Sequence, residues 1–162
     1  MIVVSDASPL ISLAAIGHLE LLHRLYSEVL VPDVVYHEVS ADPNAPGAAA
    51  IAAAKWIHVQ SVFRRDLVET FSLELDPGEA AAIVLAAQTG THLLLMDERR
   101  GRKAAVRLGQ HVIGVLGILI EAKHSGDIPA VRPLLEMLVT NAGFRVSDDL
   151  RVRILEVAGE AE

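Results

Sequence analysis

The stretch HLLLMDERRGRKAA, which runs from His92 to Ala105, joins a buried-strand pattern to the densest positive charge in the chain. Its apolar run ends abruptly at Asp97 and Glu98, and four basic residues follow within the next five positions. A run that is apolar at every position, rather than at alternate positions, is typical of a strand in a parallel sheet that helices cover on both faces. The stretch therefore predicts an α/β fold with Asp97 at the end of a central strand.

Other segments of the chain repeat this strand pattern, and helical patterns separate them. The apolar runs are Ile2–Ser5, Val29–Pro32 and Val112–Gly114, with Ile57–Val62 as the candidate for a further strand. This alternation predicts a sandwich whose central sheet is mainly parallel, with helices on both faces. We expect a single domain over residues 1–162, in which residues 128–162 form a C-terminal helical extension. The helical patterns are Pro9–Leu25 with Ser8 as N-cap, Asp33–Ser40, Ala48–Lys55, Pro77–Thr89, Arg99–Leu108, Leu116–His124, Pro129–Thr140 and Ser147–Val157.

The composition excludes several kinds of protein. Apolar residues make up 52% of the 162 positions, which is typical of a compact chain and not of a disordered one. The absence of cysteine excludes disulfide bonds and thiolate metal sites. The first residues lack the basic region of a signal peptide, and no apolar run is long enough to cross a membrane, so we expect a cytoplasmic protein. The net charge of −7 counts against a general nucleic-acid binder, although a local basic surface can reverse the sign where it matters.

Four acidic residues are expected near the carboxyl ends of the strands, where ligands bind in open parallel sheets. They are Asp6, Glu38, Glu79 and Asp97. Carboxylates that share a cleft repel one another or take up protons, and the usual remedy is a hard divalent cation such as Mg²⁺ or Mn²⁺. Such a site suits the hydrolysis of phosphodiester bonds. The four acids are therefore the candidate catalytic and metal-binding residues.

Each of these acids also has a purely structural alternative. Asp6 and Asp97 could cap the helices that follow them. Glu38 follows Val34 and Val35 by four and three residues, so it is expected on the apolar face of its short helix, where a salt bridge could satisfy it. Glu79 is the third residue after Asp76, which is the capping-box position, and the local sequence alone favours that role. The candidate site is therefore predicted by the set of four acids and not by any one member.

The basic residues after Glu98 are a second candidate feature. In a helix that starts near Arg99, this residue shares one face with Arg102 and Lys103. Guanidinium groups suit phosphate oxygens, so this stripe predicts a nucleic-acid-binding surface beside the carboxylates. The alternative is an ordinary solvated helix face, which is the commoner reason for a run of charges. The candidate nucleic-acid-binding residues are Arg99, Arg100, Arg102, Lys103 and Arg107.

The motifs around the four acids resemble those of PIN-domain nucleases. Asp6 lies in VVSDASPLISL, Glu38 in VPDVVYHEV, Glu79 in LDPGEAAAIVLA and Asp97 in LLLMDERRGRKAA. The resemblance covers nearly the whole chain and points to the predicted nucleic-acid-binding subgroup that is similar to VapC-type toxins. It implies a Rossmann-like sandwich and a Mg²⁺- or Mn²⁺-dependent endoribonuclease acting on RNA. It further implies that Ser8 supports the site, and that a toxin-like protein would have a small antitoxin partner and form a homodimer.

Two departures from the family pattern motivate an alternative function. Glu79 stands where many relatives carry Asp, and Arg residues follow Glu98 where many relatives carry a further acid. Glu98 is an extra ligand or water-positioning group if its side chain turns inward, and a helix-start acid if it does not. The alternative is a catalytically weak or inactive PIN module that binds nucleic acid or protein. A phosphotransfer protein of the haloacid-dehalogenase type is disfavoured, because Ser8 stands where that family has its second Asp.

Overall fold

Five short strands form the centre of the computed structural model, which describes residues 1–161. They are β1 (Val3–Ser5), β2 (Val29–Pro32), β3 (Ile57–Gln60), β4 (Leu93–Leu95) and β5 (Val112–Ile113). Their order across the sheet is β3-β2-β1-β4-β5, and every neighbouring pair is parallel. The sequence-based prediction of an α/β sandwich with a parallel central sheet is therefore confirmed.

Ten helices connect and cover these strands within residues 1–161. None of them is both long and apolar enough to cross a membrane. The helices are α1 (Ala7–Ala15), α2 (Glu20–Tyr26), α3 (Asp33–Ser40), α4 (Ala48–Ala53), α5 (Arg65–Phe71), α6 (Pro77–Thr89), α7 (Arg99–Arg107), α8 (Val115–His124), α9 (Arg132–Asn141) and α10 (Asp148–Val157).

The sheet separates two apolar cores, because successive side chains of a strand point to opposite faces. On β1, Val3 packs into a core shared with α1, α2, α8 and α9, whereas Val4 packs into a core shared with α6 and α7. Leu95 and Leu94 on β4 divide in the same way. Burial on both faces explains why these strands are apolar at every position.

Two helical predictions were wrong in detail. The pattern from Pro9 to Leu25 forms two helices, α1 and α2, and Gly17 turns the chain between them with a φ of 73°. The residue at the N-cap of α1 is Asp6 and not Ser8, which lies inside the first turn. Helix α5 was not predicted from the sequence; it is only seven residues long, and none of them is buried.

The C-terminal helices α9 and α10 pack against the rest of the fold through α1 and α8. Glu160, which follows the end of α10, stabilises this packing. Its carboxylate accepts hydrogen bonds from the backbone amides of Val131 and Arg132, at 2.7 and 3.0 Å, and from Lys123 Nζ at 3.0 Å. The predicted C-terminal helical extension is thus two helices held by a partly buried ionic contact, while the single-domain organisation over residues 1–162 stays a prediction.

Candidate carboxylate site and basic helix

The fold places the predicted acids around the carboxyl end of β1. Asp6 follows β1 directly, and its backbone amide donates to the carbonyl of Leu95 at 2.9 Å, so the neighbouring β4 ends at the same level. Asp97 stands two residues beyond Leu95, at the same edge of the sheet. Glu38 is on α3, which starts where β2 ends, and Glu79 is in the first turn of α6. Adjacent parallel strands and the helices that follow them are what bring these distant positions together.

A gap beside Gly78 shows how closely three of the carboxylates approach one another. A methyl group at the Cβ position of Gly78 would lie 3.1 Å from Glu38 Oε1, 3.4 Å from Asp76 Oδ1 and 3.5 Å from Asp6 Oδ1. Only a residue without a side chain leaves this space open. Asp76 was interpreted from the sequence only as a helix cap, and the structure adds it to the group. We call Asp6, Glu38, Asp76 and Glu79 the acid cluster.

Burial and mutual repulsion act together on the acid cluster. Asp6 is only 4% exposed, and its burial raises its pKa to about 7. Asp76, Glu79 and Glu38 raise this pKa further, while the backbone amide of Ala7 opposes the shift. Burial, followed by the charge of Asp76, also raises the pKa of Glu38. The charges that act on Asp6 are all negative, which is the arrangement that a bound cation would relieve.

Glu38 does not lie on the buried face of its helix, which the sequence had suggested through its spacing from Val34. Val35 and Val39 form that buried face, whereas Val34 and Glu38 are exposed. The side chain of Glu38 therefore reaches the acid cluster from the solvent side. An exposed side chain keeps the rotameric freedom to adjust to a ligand.

Glu79 forms the capping box that was its structural alternative, and one of its carboxylate oxygens still has no hydrogen-bond partner among residues 1–161. Its Oε1 accepts from the backbone amide of Asp76 at 3.1 Å, and its own amide donates to Asp76 Oδ1 at 2.8 Å, which completes a capping box. Its Oε2 is buried without a hydrogen-bond partner, and a Cβ at Gly101 would lie 2.8 Å from it. Burial raises the pKa of Glu79 to about 7. A buried oxygen without a partner is costly unless a proton or a cation satisfies it.

Asp97 stands at the same edge of the sheet as Asp6 but outside the acid cluster, and it is held by its own contacts. Its Oδ1 accepts from the backbone amide of Val115 at 2.8 Å, and its Oδ2 accepts from Ser8 Oγ at 3.2 Å. Burial raises the pKa of Asp97, and these hydrogen bonds together with Arg102 oppose the rise. Glu98 occupies the N-cap of α7, is exposed, and raises the pKa of both Asp97 and Glu79. Ser8 therefore contacts a candidate acid directly, whereas Glu98 acts on the acids through its charge.

The donor atoms suit a hard divalent cation, although the side chains stand apart. Within residues 1–161, no three His, Cys, Asp or Glu side chains converge to the spacing of a single metal site. The available donors are carboxylate oxygens only, which Mg²⁺ and Mn²⁺ prefer. The unpaired Oε2 of Glu79 and the gap beside Gly78 are both features that an ion among these acids would explain.

The basic residues of α7 form an exposed surface next to these acids. Arg99, Arg100, Arg102, Lys103 and Arg107 are all exposed, and none forms an ion pair within the described part of the chain. Arg102 comes nearest to an acid. Its Nη1 and Asp97 Oδ1 each lie 2.7 Å from the position that a Cβ at Gly114 would take. The charges of this helix are thus free to attract a polyanion at the rim of the site.

Comparison with known proteins agrees with the motifs. A family model described as a PIN domain matches residues 2–160. The match spans all the candidate acids, Ser8 and the basic helix. No curated protein matches the chain.

Proposed function

The chain belongs to the PIN-domain family, whose members are generally nucleases that use divalent metal ions, and from this premise we propose that it is a metal-dependent endoribonuclease. The observation that carries the proposal is the approach of Asp6, Glu38 and Asp76 around the gap at Gly78, at the sheet edge where the basic helix α7 begins; its charged side chains form no ion pair within residues 1–161. Repelling carboxylates are unfavourable on their own, whereas a cation turns the same group into a phosphodiester-hydrolysing centre.

The proposed roles follow from the contacts of each side chain. Asp6, Glu38, Glu79 and Asp97 would hold Mg²⁺ or Mn²⁺, and the exposed Asp76 would complete the carboxylate set. The ion, when bound, supplies positive charge for the phosphate and lowers the pKa of water.

The supporting residues act on these acids or on the substrate. Ser8 keeps Asp97 oriented through its 3.2 Å hydrogen bond. Glu98 supports the site through its charge. The residues proposed to bind the RNA backbone are Arg99, Arg100, Arg102, Lys103 and Arg107.

Glu38→Gln is the sharpest test of this function, with Glu20→Gln as its matched control. Both residues are exposed on helices, but Glu20 lies in the first turn of α2, away from the acid cluster. We expect Glu38→Gln and Asp97→Asn to abolish Mn²⁺-dependent cleavage of RNA and to weaken Mn²⁺ binding in calorimetry, with no effect of Glu20→Gln. Cleavage that is equal in all these proteins, or absent from the wild type, would rule out the catalytic proposal.

A second candidate function is a PIN module that binds nucleic acid or protein with little or no catalysis. The separation of the acids favours it, because no three of them converge on one ion within residues 1–161. The capping role of Glu79 favours it as well, since one of its oxygens is already engaged. RNA binding that persists in EDTA, together with no heat of Mn²⁺ binding, would select this function over the enzyme.

We also propose a toxin-like role in the cytoplasm, with a small antitoxin as partner and a homodimeric state. The resemblance to VapC-type toxins supports this, as do the apolar side chains of Phe63 and Leu73, which flank α5 and are 77% and 85% exposed. Apolar surface of this kind is typical of protein contacts. Size-exclusion chromatography of the chain alone and after co-expression with the product of a neighbouring gene tests it. A monomer that elutes unchanged in both cases contradicts it.

A further inference from the structure

A groove runs from Asp97 along α7 towards α10. Its volume is about 530 Å³, which is within the range of ligand-binding clefts. Three parts of the chain line it: the start of α7, the segment from β5 into α8, and the C-terminal segment around Phe144. Because Asp97 is among the lining residues, the groove opens beside one of the proposed metal ligands.

The groove combines an aromatic, apolar wall with a cationic rim. Phe144 and Leu150 supply apolar surface, and Arg99, Arg102 and Arg145 supply charge. All three Arg side chains are exposed, and within residues 1–161 none of them is in an ion pair. Proteins that bind single-stranded nucleic acid use this combination, since the bases stack on aromatic rings and the phosphates bind guanidinium groups.

A backbone hydrogen bond and a glycine turn hold the segment that carries Phe144. Its backbone amide donates to the carbonyl of Leu138 at 3.0 Å, and Gly143 turns the chain there with a φ of 66°. Phe144 packs against the apolar core that includes residues of α9, and it is half-buried where it lines the groove. A ring that is already held in place loses little conformational entropy when a base stacks on it.

We propose that this groove binds one unpaired base of the RNA substrate next to the scissile phosphate, with Phe144 stacking on the base and Arg102 and Arg145 binding the flanking phosphates. The groove takes a base only when that base is unstacked, because bases inside an A-form duplex are stacked and cannot enter it. The inference rests on the proposed ribonuclease function for the identity of the polymer. It gives the C-terminal segment, which lies outside the acid cluster, a role in substrate selection.

Binding measured in EDTA tests the groove without any cleavage. The probes are an end-labelled single strand of RNA, a strand of equal length with abasic positions, and a hairpin duplex, each titrated by fluorescence anisotropy. We expect the base-bearing strand to bind about 5- to 150-fold more tightly than the abasic strand, which is the usual effect of one stacked base. Equal affinity for the two strands, or preference for the duplex, overturns the proposal.

Variants of Phe144 and Arg145 identify the residues responsible. Phe144→Leu keeps apolar bulk but removes the aromatic face, so it should bind both strands with the affinity of the abasic one, whereas Phe144→Trp should keep the preference. Arg145→Ala should weaken both strands alike, in contrast to Arg24→Ala on α2, which is exposed near the opposite edge of the sheet. A preference unchanged in Phe144→Leu overturns the assignment.

The outcomes separate this inference from the function on which it rests. RNA cleavage with Mn²⁺, accompanied by unchanged base preference in Phe144→Leu, refutes the groove and leaves the ribonuclease. Base-selective binding without cleavage refutes the ribonuclease and leaves the groove. Displacement of the RNA by an acidic peptide that binds more tightly would assign the groove to a protein partner and overturn the proposal. Where a Phe144 variant fails to fold, the affinities of the wild-type protein for the base-bearing and the abasic RNA still test whether the groove binds a base.

Discussion

Asp6→Asn should stabilise the metal-free protein at alkaline pH, although it alters a residue of the proposed active site. Burial and the neighbouring acids raise the pKa of Asp6 from 3.8 to about 7. Each pKa unit corresponds to about 1.4 kcal/mol, so the ionised carboxylate costs the folded state about 4 kcal/mol. Asn keeps an oxygen that can accept from the Ala7 amide and carries no charge.

The contribution of Asp6 to the free energy of unfolding changes with pH in a definite direction. Below the unfolded pKa of 3.8, Asp6 is protonated in both states and its folded form bears no penalty. As pH rises, the unfolded state ionises first, so stability falls until the folded carboxyl also ionises near pH 7. Asp6→Asn avoids this loss, and its advantage should be about 2 kcal/mol near pH 5 and about 4 kcal/mol near pH 8. The second figure corresponds to a rise in Tm of roughly 8–16 °C for a chain of this size.

Urea denaturation in EDTA at both pH values measures these differences. Asp66→Asn is the matched control, because Arg64 holds the pKa of this exposed carboxyl down at about 2, and its replacement should give no gain at alkaline pH. Adding Mn²⁺ at about 100 times its dissociation constant should stabilise the wild type by about 2.7 kcal/mol and the Asp6→Asn variant by less. If Asp6→Asn is no more stable than the wild type at alkaline pH in EDTA, Asp6 is not destabilised by burial and repulsion, and the reasoning fails.

Three further changes test other parts of the structure. Gly78→Ala places a methyl group 3.1 Å from Glu38 Oε1, so calorimetry should show Mn²⁺ affinity reduced about tenfold or more while Tm does not fall; unchanged affinity would mean that the gap is unrelated to metal. Arg102→Ala should lower the slope of RNA affinity against salt by about 0.7, as expected when one phosphate contact of a single strand is lost, and a slope equal to that of the wild type would remove Arg102 from the interface. Glu160→Gln should cost about 1.5–3 kcal/mol in urea unfolding at neutral pH, because the carboxylate accepts from two backbone amides and from Lys123. The pKa of Glu160 is lowered in the folded state, so this stability is present above the unfolded pKa of 4.5 and disappears as pH falls through the folded value; a cost that persists in acid contradicts the ionic contact.

The strands and two of the acids were predictable because their signals are local. A run such as Leu93–Leu95 is apolar throughout since both faces of the sheet are covered, and the residue that follows it must stand at the carboxyl edge. The same reasoning placed Asp6 and Asp97 at one edge without knowledge of any contact. Local capping chemistry likewise predicted the start of α6 at Asp76.

Other features depend on packing between distant segments, and no local pattern reports them. The local sequence around Asp76 predicts only a helix cap, and Asp76 approaches Glu38 only because α3 packs against α6. Phe144 reads as a lone aromatic residue in a loop, and only the return of the C-terminal segment towards α7 gives it Arg102 as a neighbour. Even the position of Glu38 on its helix was misjudged, because the buried face is defined by what α3 packs against and not by spacing alone.

The contacts of Glu79 allow it to cap helix α6 and also to serve as a proposed metal ligand. A capping box needs a side chain long enough to return to the N-cap amide, and Glu provides this reach through one oxygen, at 3.1 Å from Asp76 N. A shorter Asp at this position would lack that reach, whereas Glu79 both fixes the start of α6 and holds its second oxygen in a buried position without a hydrogen-bond partner among residues 1–161. The cap thereby orients the free oxygen at no further conformational cost. A Glu at this position is therefore a reason to expect a preorganised third acid, and not by itself a sign of lost function.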